Sequence, residues 1–343
     1  MNDERTFMRI ETGEAAATVS TLLDREAETF ARIAALFADR QPGIVTTAAR
    51  GSSDHAASFF KYLFEITTGR PVASIGPSVA SVYATHLRLA GGVHFTISQS
   101  GASPDIVALQ RAAAKGGAAT VAVVNVLDSP LAREADIVLG LHAGPERSVA
   151  ATKSCIAAAA ALAGVTAAVA GDADLKTALA RLPDALAGSL AEPDGQIVER
   201  LAATKSLYVS GRGTGFAVSL EAALKAKETC GIHAEAFSLA ELMHGPMRLV
   251  ETGFPVLAFL TDDRARPEND AALARLAQIG GDIVRIGADN AGPCEIRSAS
   301  TGHGLLDPLA GLAAYYGLIE RVALRLGHDP DRPRNLKKVT ETV

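Results

Sequence analysis

The run Thr96-Ile97-Ser98-Gln99-Ser100-Gly101-Ala102-Ser103 gathers three serines and a carboxamide directly behind the apolar Val93-His94-Phe95. It reads as a short strand breaking into a turn dense in hydroxyls. Pro104 suits the first turn of the helix that follows in Asp105-Ile106-Val107-Ala108-Leu109. A strand that ends in small hydroxyl residues and opens a helix aims backbone N–H groups and the positive helix end at one spot, which suits a phosphate. The Gly-Lys-Ser/Thr sequence of nucleoside-triphosphatase loops does not occur, so the expected guest is a monophosphate held by neutral donors. An ordinary strand-to-helix turn with polar caps would use the same residue types.

A second group follows a helical spacing. Glu221, Lys225 and Glu228 share one helix face. Such a face is either a solvated ion-pair ladder or a carboxylate poised to take and return a proton beside a cation. His244 stands before Gly245-Pro246, where a helix must stop, and an imidazole titrates near neutrality. No cluster of His, Cys and Asp has zinc spacing, and the glycine-rich turns lack a GxGxxG fingerprint. Neither a metal, nor NAD, nor another cofactor is expected.

These groups need elements to hold them. Apolar, β-prone runs recur at 44–47, 72–75, 93–97, 121–124 and 137–140, separated by helical stretches. Strands alternating with helices predict an α/β fold, a parallel sheet covered by helices on both faces. The second half repeats the first at an offset of 162 residues, from Gly51 to Gly213. The same offset carries Ser98-Gln99-Ser100-Gly101 onto Leu260-Thr261-Asp262-Asp263. A duplicated domain is therefore expected. Two aspartates would repel a phosphate, so the anion site belongs to the first copy alone.

Composition narrows the partners. The 343 residues suffice for two domains, 48% are apolar, and the net charge is −5. With a pI near 5.9, nucleic acid and anionic membrane are not the expected partners. Cys155, Cys230 and Cys294 are odd in number and far apart, which reads as reduced thiols in a cytoplasmic protein. The N-terminus carries both signs of charge and no apolar export signal. Ser154 through Gly171 is almost free of polar groups but mostly alanine and glycine, so it is expected to be a buried helix rather than a membrane span. The turn-rich Ala191-Glu192-Pro193-Asp194-Gly195 marks the expected domain boundary.

The second half also contains Ala223-Leu224-Lys225-Ala226-Lys227-Glu228, Ile232-His233-Ala234-Glu235-Ala236-Phe237, Glu241-Leu242-Met243-His244-Gly245-Pro246 and Pro333-Arg334-Asn335-Leu336-Lys337-Lys338. In this order they resemble tandem sugar isomerase (SIS) domains, as in the isomerase half of glutamine–fructose-6-phosphate amidotransferases. The resemblance runs from about Ile44 to the C-terminus. It implies an N-terminal helical segment at 1–42, a first SIS domain at 43–190, a second at 196–328 and a tail at 329–343 that completes the site. Cys155 is the first thiol, and only about forty residues precede the first strand, too few for a glutaminase domain; no glutamine hydrolysis is expected.

The resemblance also implies roles. Ser53, Ser98, Gln99, Ser100 and Ser103 would bind the phosphate of a sugar 6-phosphate, and Val149 and Ala151 would contact the sugar. Ala151 replaces a serine common in the family, which leaves one hydroxyl contact unmade. Glu228 would move a proton between C1 and C2, with Lys225 steadying the enediolate oxygen. His244 would open the sugar ring, reaching a neighbouring subunit's site in a homodimer, and Lys338 would meet the open-chain carbonyl. Stand-alone relatives include glucosamine-6-phosphate deaminases, galactosamine-6-phosphate enzymes and fructosamine-6-phosphate deglycases. The favoured expectation is a glucosamine-6-phosphate deaminase; a deglycase, a plain aldose–ketose isomerase and a non-catalytic sugar-phosphate sensor are the alternatives.

Overall fold

Each half of the chain winds five parallel strands into one sheet, and both sheets have the same strand order. The computed structural model describes residues 6–338 apart from Asp289, Ala291 and Pro293. Two helices lead, α1 (Phe7–Arg25) and α2 (Ala27–Arg40). Then come β1 (Val45–Ala48), α3 (Ser52–Thr68), β2 (Val72–Ser74), α4 (Ser78–Ser81), β3 (Val93–Ser98) and α5 (Pro104–Lys115). The first sheet ends with β4 (Ala119–Val124), α6 (Pro130–Arg133) and β5 (Ile137–Gly140). Helices α7 (Lys153–Ala170), α8 (Ala173–Gly188) and α9 (Gly195–Ala202) follow. The second sheet begins with β6 (Ser206–Gly211), α10 (Thr214–Cys230), β7 (His233–Ser238) and α11 (Leu239–Leu242). After a 3-10 turn at Pro246–Leu249 it continues through β8 (Pro255–Phe259), α12 (Arg266–Gln278), β9 (Asp282–Ala288), β10 (Ile296–Ser298) and α13 (Pro308–Arg325).

The strand orders are β2-β1-β3-β4-β5 and β7-β6-β8-β9-β10. The duplication expected from the sequence is visible in backbone detail. Gly51 and Gly213 stand before α3 and α10 with φ/ψ of 54°/−132° and 55°/−126°. A residue with a Cβ is strained there, so glycine sets how the chain leaves each first strand. At the far ends of the same helices, Gly69 and Gly231 take left-handed caps.

The compact units interleave along the chain. One holds the first sheet, Ala17–Pro145, together with Ser154–Ala180. The other holds the second sheet, Arg181–Lys338, and takes in the chain through Ala16 and the short segment Glu146–Lys153. These units are therefore discontinuous in sequence, beside the contiguous bounds 43–190 and 196–328 expected from the sequence. Asp331 accepts from the N–H groups of Phe7 and Met8 at 2.7 and 2.8 Å, which caps α1. The Asp- and Arg-rich tail is thereby a structural element.

In the first-sheet unit, β3 and β4 are buried along their whole length, as parallel strands covered on both faces must be. Phe60 packs against Phe64 and Phe95 at centroid distances of 4.9 and 5.1 Å. Helix α7 is the alanine-rich stretch, and 83% of its apolar window is buried. At Gly164 an added Cβ would stand 2.6 Å from the Phe30 ring, so the small residues of α7 admit α2 at close range. Among the described residues no other helix is long and apolar enough to cross a membrane.

His94 lies within β3, wholly buried, with Nδ1 2.8 Å from the Thr46 hydroxyl. Burial lowers its pKa to about 4 from 6.5. The folded chain therefore binds this proton later than the unfolded chain as pH falls. The stability that neutral His94 contributes is complete above pH 6.5 and lost as pH falls towards about 4. The loss across that window is expected to reach about 3 kcal/mol. Urea midpoints at pH 7.5, 5.5 and 4.5 should show it, with a flatter profile for His94→Asn. A variant profile as steep as the parent's would remove His94 as the source.

Candidate functional site

In the first sheet, β1 and β3 are neighbours whose onward connections run in opposite directions. Ligands of doubly wound sheets bind beyond the strand ends at this reversal. The turn after β1 leads into α3, of 17 residues, and the turn after β3 into α5, of 12. Both helices therefore start beside the same crevice, each with its positive end there.

The hydroxyl turn is built to donate. Ser98 is buried, and its Oγ accepts from the Gly101 N–H at 3.0 Å. Ser100 Oγ accepts from Ala102 N–H at 3.4 Å. A serine whose lone pair is used by its own turn still has its proton to give to an anion. Gly101 has φ of 61°, and a Cβ there would fall 2.2 Å from Ser129 Oγ, so this turn excludes any side chain at 101. Ser103 occupies the N-cap position of α5, yet its side chain makes no capping hydrogen bond. Ser103 thus serves the first turn of α5 through its carbonyl, which accepts from the Val107 N–H at 3.1 Å, and its hydroxyl is not spent on capping. Gln99 is half-buried in the same turn, and Ser53 is half-buried in the first turn of α3.

Two residues that sequence reasoning left out of the site stand at this crevice. Arg50 donates through Nε and Nη2 to one oxygen of Asp105, at 3.1 and 2.9 Å. Asp105, in the first turn of α5, is wholly buried, and its other oxygen accepts from the Ile106 N–H at 2.9 Å. Asp54, also near the start of α3, has a raised pKa because burial outweighs the opposing influence of His55 and Arg50. The signal for Arg50 was present in the paired Arg-Gly at 50–51 and 212–213.

The remaining candidates belong to the other unit. On α10, Lys225 is wholly buried, with its ammonium 3.3 Å from Glu221 Oε1 and hydrogen-bonded to Glu228 Oε2. Glu221 also accepts from the Tyr316 hydroxyl at 3.2 Å. Only Glu228 of the three retains exposure, 20% of its side chain. The solvated-ladder reading is thereby excluded. Lys225, expected to steady an enediolate oxygen, has its charge withdrawn from the surface and shared between two carboxylates. It holds Glu228 in place.

Val149 and Ala151 lie on the segment Glu146–Lys153, which is clamped by buried charges. Glu11 of α1 accepts from the N–H groups of Arg147 and Ser148, the latter at 3.2 Å. Burial raises the Glu11 pKa against these hydrogen bonds. Glu146 accepts from the Thr152 N–H at 3.0 Å and from Lys338 Nζ at 2.9 Å. Lys338 Nζ also donates to the Ser148 carbonyl at 2.7 Å. The tail lysine is thus seated on the predicted sugar-contact segment, 192 residues from its carboxylate partner. His244 is exposed on the turn after α11, its N–H donating to Glu241 O at 2.9 Å. No hydrogen bond joins Glu228 to His244 or Lys338 among the described residues.

Among the described residues no group of three or more His, Cys, Asp or Glu could hold a metal ion. Cys155 and Cys230 are buried thiols, and burial pushes Cys230 up to about 12.

The fold is that of a doubly wound, duplicated α/β protein with a serine-rich turn at a strand reversal, the place where such sheets bind ligands. The SIS domain family model matches residues 41–168 and 200–297, and the chain belongs to that family. It is 35% identical over 331 residues to glutamine–fructose-6-phosphate aminotransferase [isomerizing] of Aeropyrum pernix, covering 89% of this chain and 53% of the relative. The same-named protein of Halobacterium salinarum is 36% identical over 308 residues, covering 84% and 50%. The chain thus spans about half the length of the curated relatives it matches. A solved candidate phosphosugar isomerase from Silicibacter pomeroyi superposes with a TM-score of 0.88 at 42% identity, covering 95% of this chain and 100% of that one. The C-terminal domain of glucosamine-fructose-6-phosphate aminotransferase from Francisella tularensis gives 0.82 at 25% identity, covering 97% and 99%. This is an SIS-domain chain related to phosphosugar isomerases.

Proposed function

We propose that the chain is a phosphosugar isomerase acting on an aminosugar 6-phosphate, converting glucosamine 6-phosphate and water to fructose 6-phosphate and ammonia. The observation that carries this reading is the carboxylate of Glu228, partly exposed and tethered by a wholly buried lysine. A group that shuttles a proton must be near its carbon, fixed in direction and accessible on one side. In the proposed mechanism the phosphoryl group is anchored by Ser53, Ser98, Gln99, Ser100 and Ser103. His244, contributed across a homodimer, opens the ring. Glu228 removes the C2 proton of the open-chain aldose, giving an enolamine, and returns it at C1. The resulting C2 imine adds water and releases ammonia. Lys338 meets the open-chain carbonyl in exchange for its hydrogen bond to Ser148, while Val149 and Ala151 border the sugar.

A plain aldose–ketose isomerase is the second reading, favoured by the likeness to the Silicibacter pomeroyi protein. Incubation with glucosamine 6-phosphate, galactosamine 6-phosphate, a fructosamine 6-phosphate and glucose 6-phosphate separates the two. The expected result is ammonia and fructose 6-phosphate in equal amounts from glucosamine 6-phosphate. Interconversion of glucose and fructose 6-phosphates without ammonia from any aminosugar would replace the deaminase by the isomerase. Binding without turnover would leave only a sensor.

A further inference from the structure

We infer that Arg50 is the cation of the phosphate site and makes it select a doubly charged phosphoryl group over a singly charged anion. The inference rests on the reading of the β1/β3 crevice as an anion site. Ala48 pairs with Thr96 across the two strands, and two residues further along each chain stand Arg50 and Ser98. The arginine therefore leaves its strand level with the start of the hydroxyl turn. Its side chain is 55% exposed, whereas the side chain of its partner Asp105 is wholly buried.

That asymmetry separates this pair from an ordinary surface ion pair, in which both members are solvated and neither is fixed. A buried carboxylate at the first turn of α5 needs a cation, and taking both Nε and Nη2 on one oxygen fixes the plane of the guanidinium. Nη1 has no protein partner among the described residues. A planar fork held along one edge and open along the other suits a phosphate oxygen, and lysine would supply the charge without that geometry. The other charged groups beside it are Asp54 and His55 on α3. Neutral serine donors by themselves would accept a sulfate ester nearly as well as a phosphate ester; a fixed cation distinguishes them by charge.

The test is calorimetric binding of fructose 6-phosphate and inorganic phosphate, and of glucose 6-phosphate beside glucose 6-sulfate, to the full chain and to Arg50→Met. The variant is expected to bind fructose 6-phosphate about 10- to 100-fold more weakly and to lose the preference for glucose 6-phosphate over glucose 6-sulfate. Arg50→Lys should recover part of the affinity. Because Asp105 is buried, a thermal melt checks the fold; if Arg50→Met does not fold, Arg50→Met with Asp105→Asn takes its place. A fructose 6-phosphate Kd within twofold of the parent's in a folded variant overturns the inference while leaving the anion site standing. If the parent chain binds none of these ligands, the crevice is not an anion site and the proposed function loses its anchor as well.

Discussion

Replacing Glu228 by Gln is expected to lower kcat on glucosamine 6-phosphate by about 100- to 10,000-fold while leaving the binding of fructose 6-phosphate within about twofold. The amide has the shape of the carboxylate and still offers Lys225 an oxygen, so α10 should keep its geometry. What it lacks is basicity: an amide cannot take the C2 proton and return it at C1. The split between turnover and binding is the diagnostic, because a merely structural glutamate would affect both or neither. Steady-state kinetics with calorimetry on the same preparation measure it. Incorporation of solvent deuterium at C1 of the product gives a second readout, expected in the parent chain and absent in the variant. A Glu228→Gln protein that keeps half of the parent's kcat takes Glu228 out of the mechanism.

Lys225→Met carries the largest expected cost to the fold. Lys225 and Glu221 each retain about 1% of side-chain exposure, and a second carboxylate meets the same ammonium. Removing the cation leaves Glu221 charged in the interior, with Tyr316 as a remaining hydrogen-bond donor. Breaking a buried pair from one side costs about 3–5 kcal/mol, because the abandoned charge has lost its solvation and gained no replacement. Urea denaturation followed by circular dichroism measures the shift. The double variant Lys225→Met with Glu221→Gln removes both charges and should recover most of the loss, since a matched neutral pair carries no uncompensated ion. If Lys225→Met costs under about 1 kcal/mol, the ammonium is not what holds this part of α10. A large loss of kcat in any folded Lys225 variant, with binding intact, would follow from Glu228 losing its tether.

The two results address different levels of one arrangement. Glu228 is read as the group that meets the substrate; Lys225 and Glu221 are read as what keeps it in one position. The first sheet's crevice has the same division. Ser98 and Ser100 accept hydrogen bonds from their own turn and so present protons outward, while Asp105, fully buried, fixes the direction of Arg50. In both places the residue open to a ligand is oriented by a buried residue of opposite charge. Preorganisation of this kind reduces what a ligand must spend on ordering the site.

Much of this was legible in the chain itself. The apolar runs at 44–47, 72–75, 93–97, 121–124 and 137–140 each overlap a strand of the first sheet; β1, β3 and β4 are buried throughout, and such parallel strands read as continuous β-prone segments. The duplication was readable because Gly51 and Gly213 must both adopt a conformation that glycine alone takes easily. The serine turn and the spacing of Glu221, Lys225 and Glu228 are local facts, and the structure keeps them on the elements where the periodicity placed them. What the chain could not disclose by itself was whether that helix face was wet or dry, since spacing is the same in either case. Nor does any short pattern announce Glu146 under Lys338, Asp105 under Arg50, or Asp331 at the start of α1. Those pairs join residues from 55 to more than 300 positions apart. Packing takes Asp105 and Glu146 out of water, where each must find a cation, and brings the tail back so that Asp331 meets the N–H groups opening α1. The order of elements and their turns was a property of sequence, set by periodicity and backbone sterics; the depth of each charge, and therefore its partner, was decided by the tertiary fold.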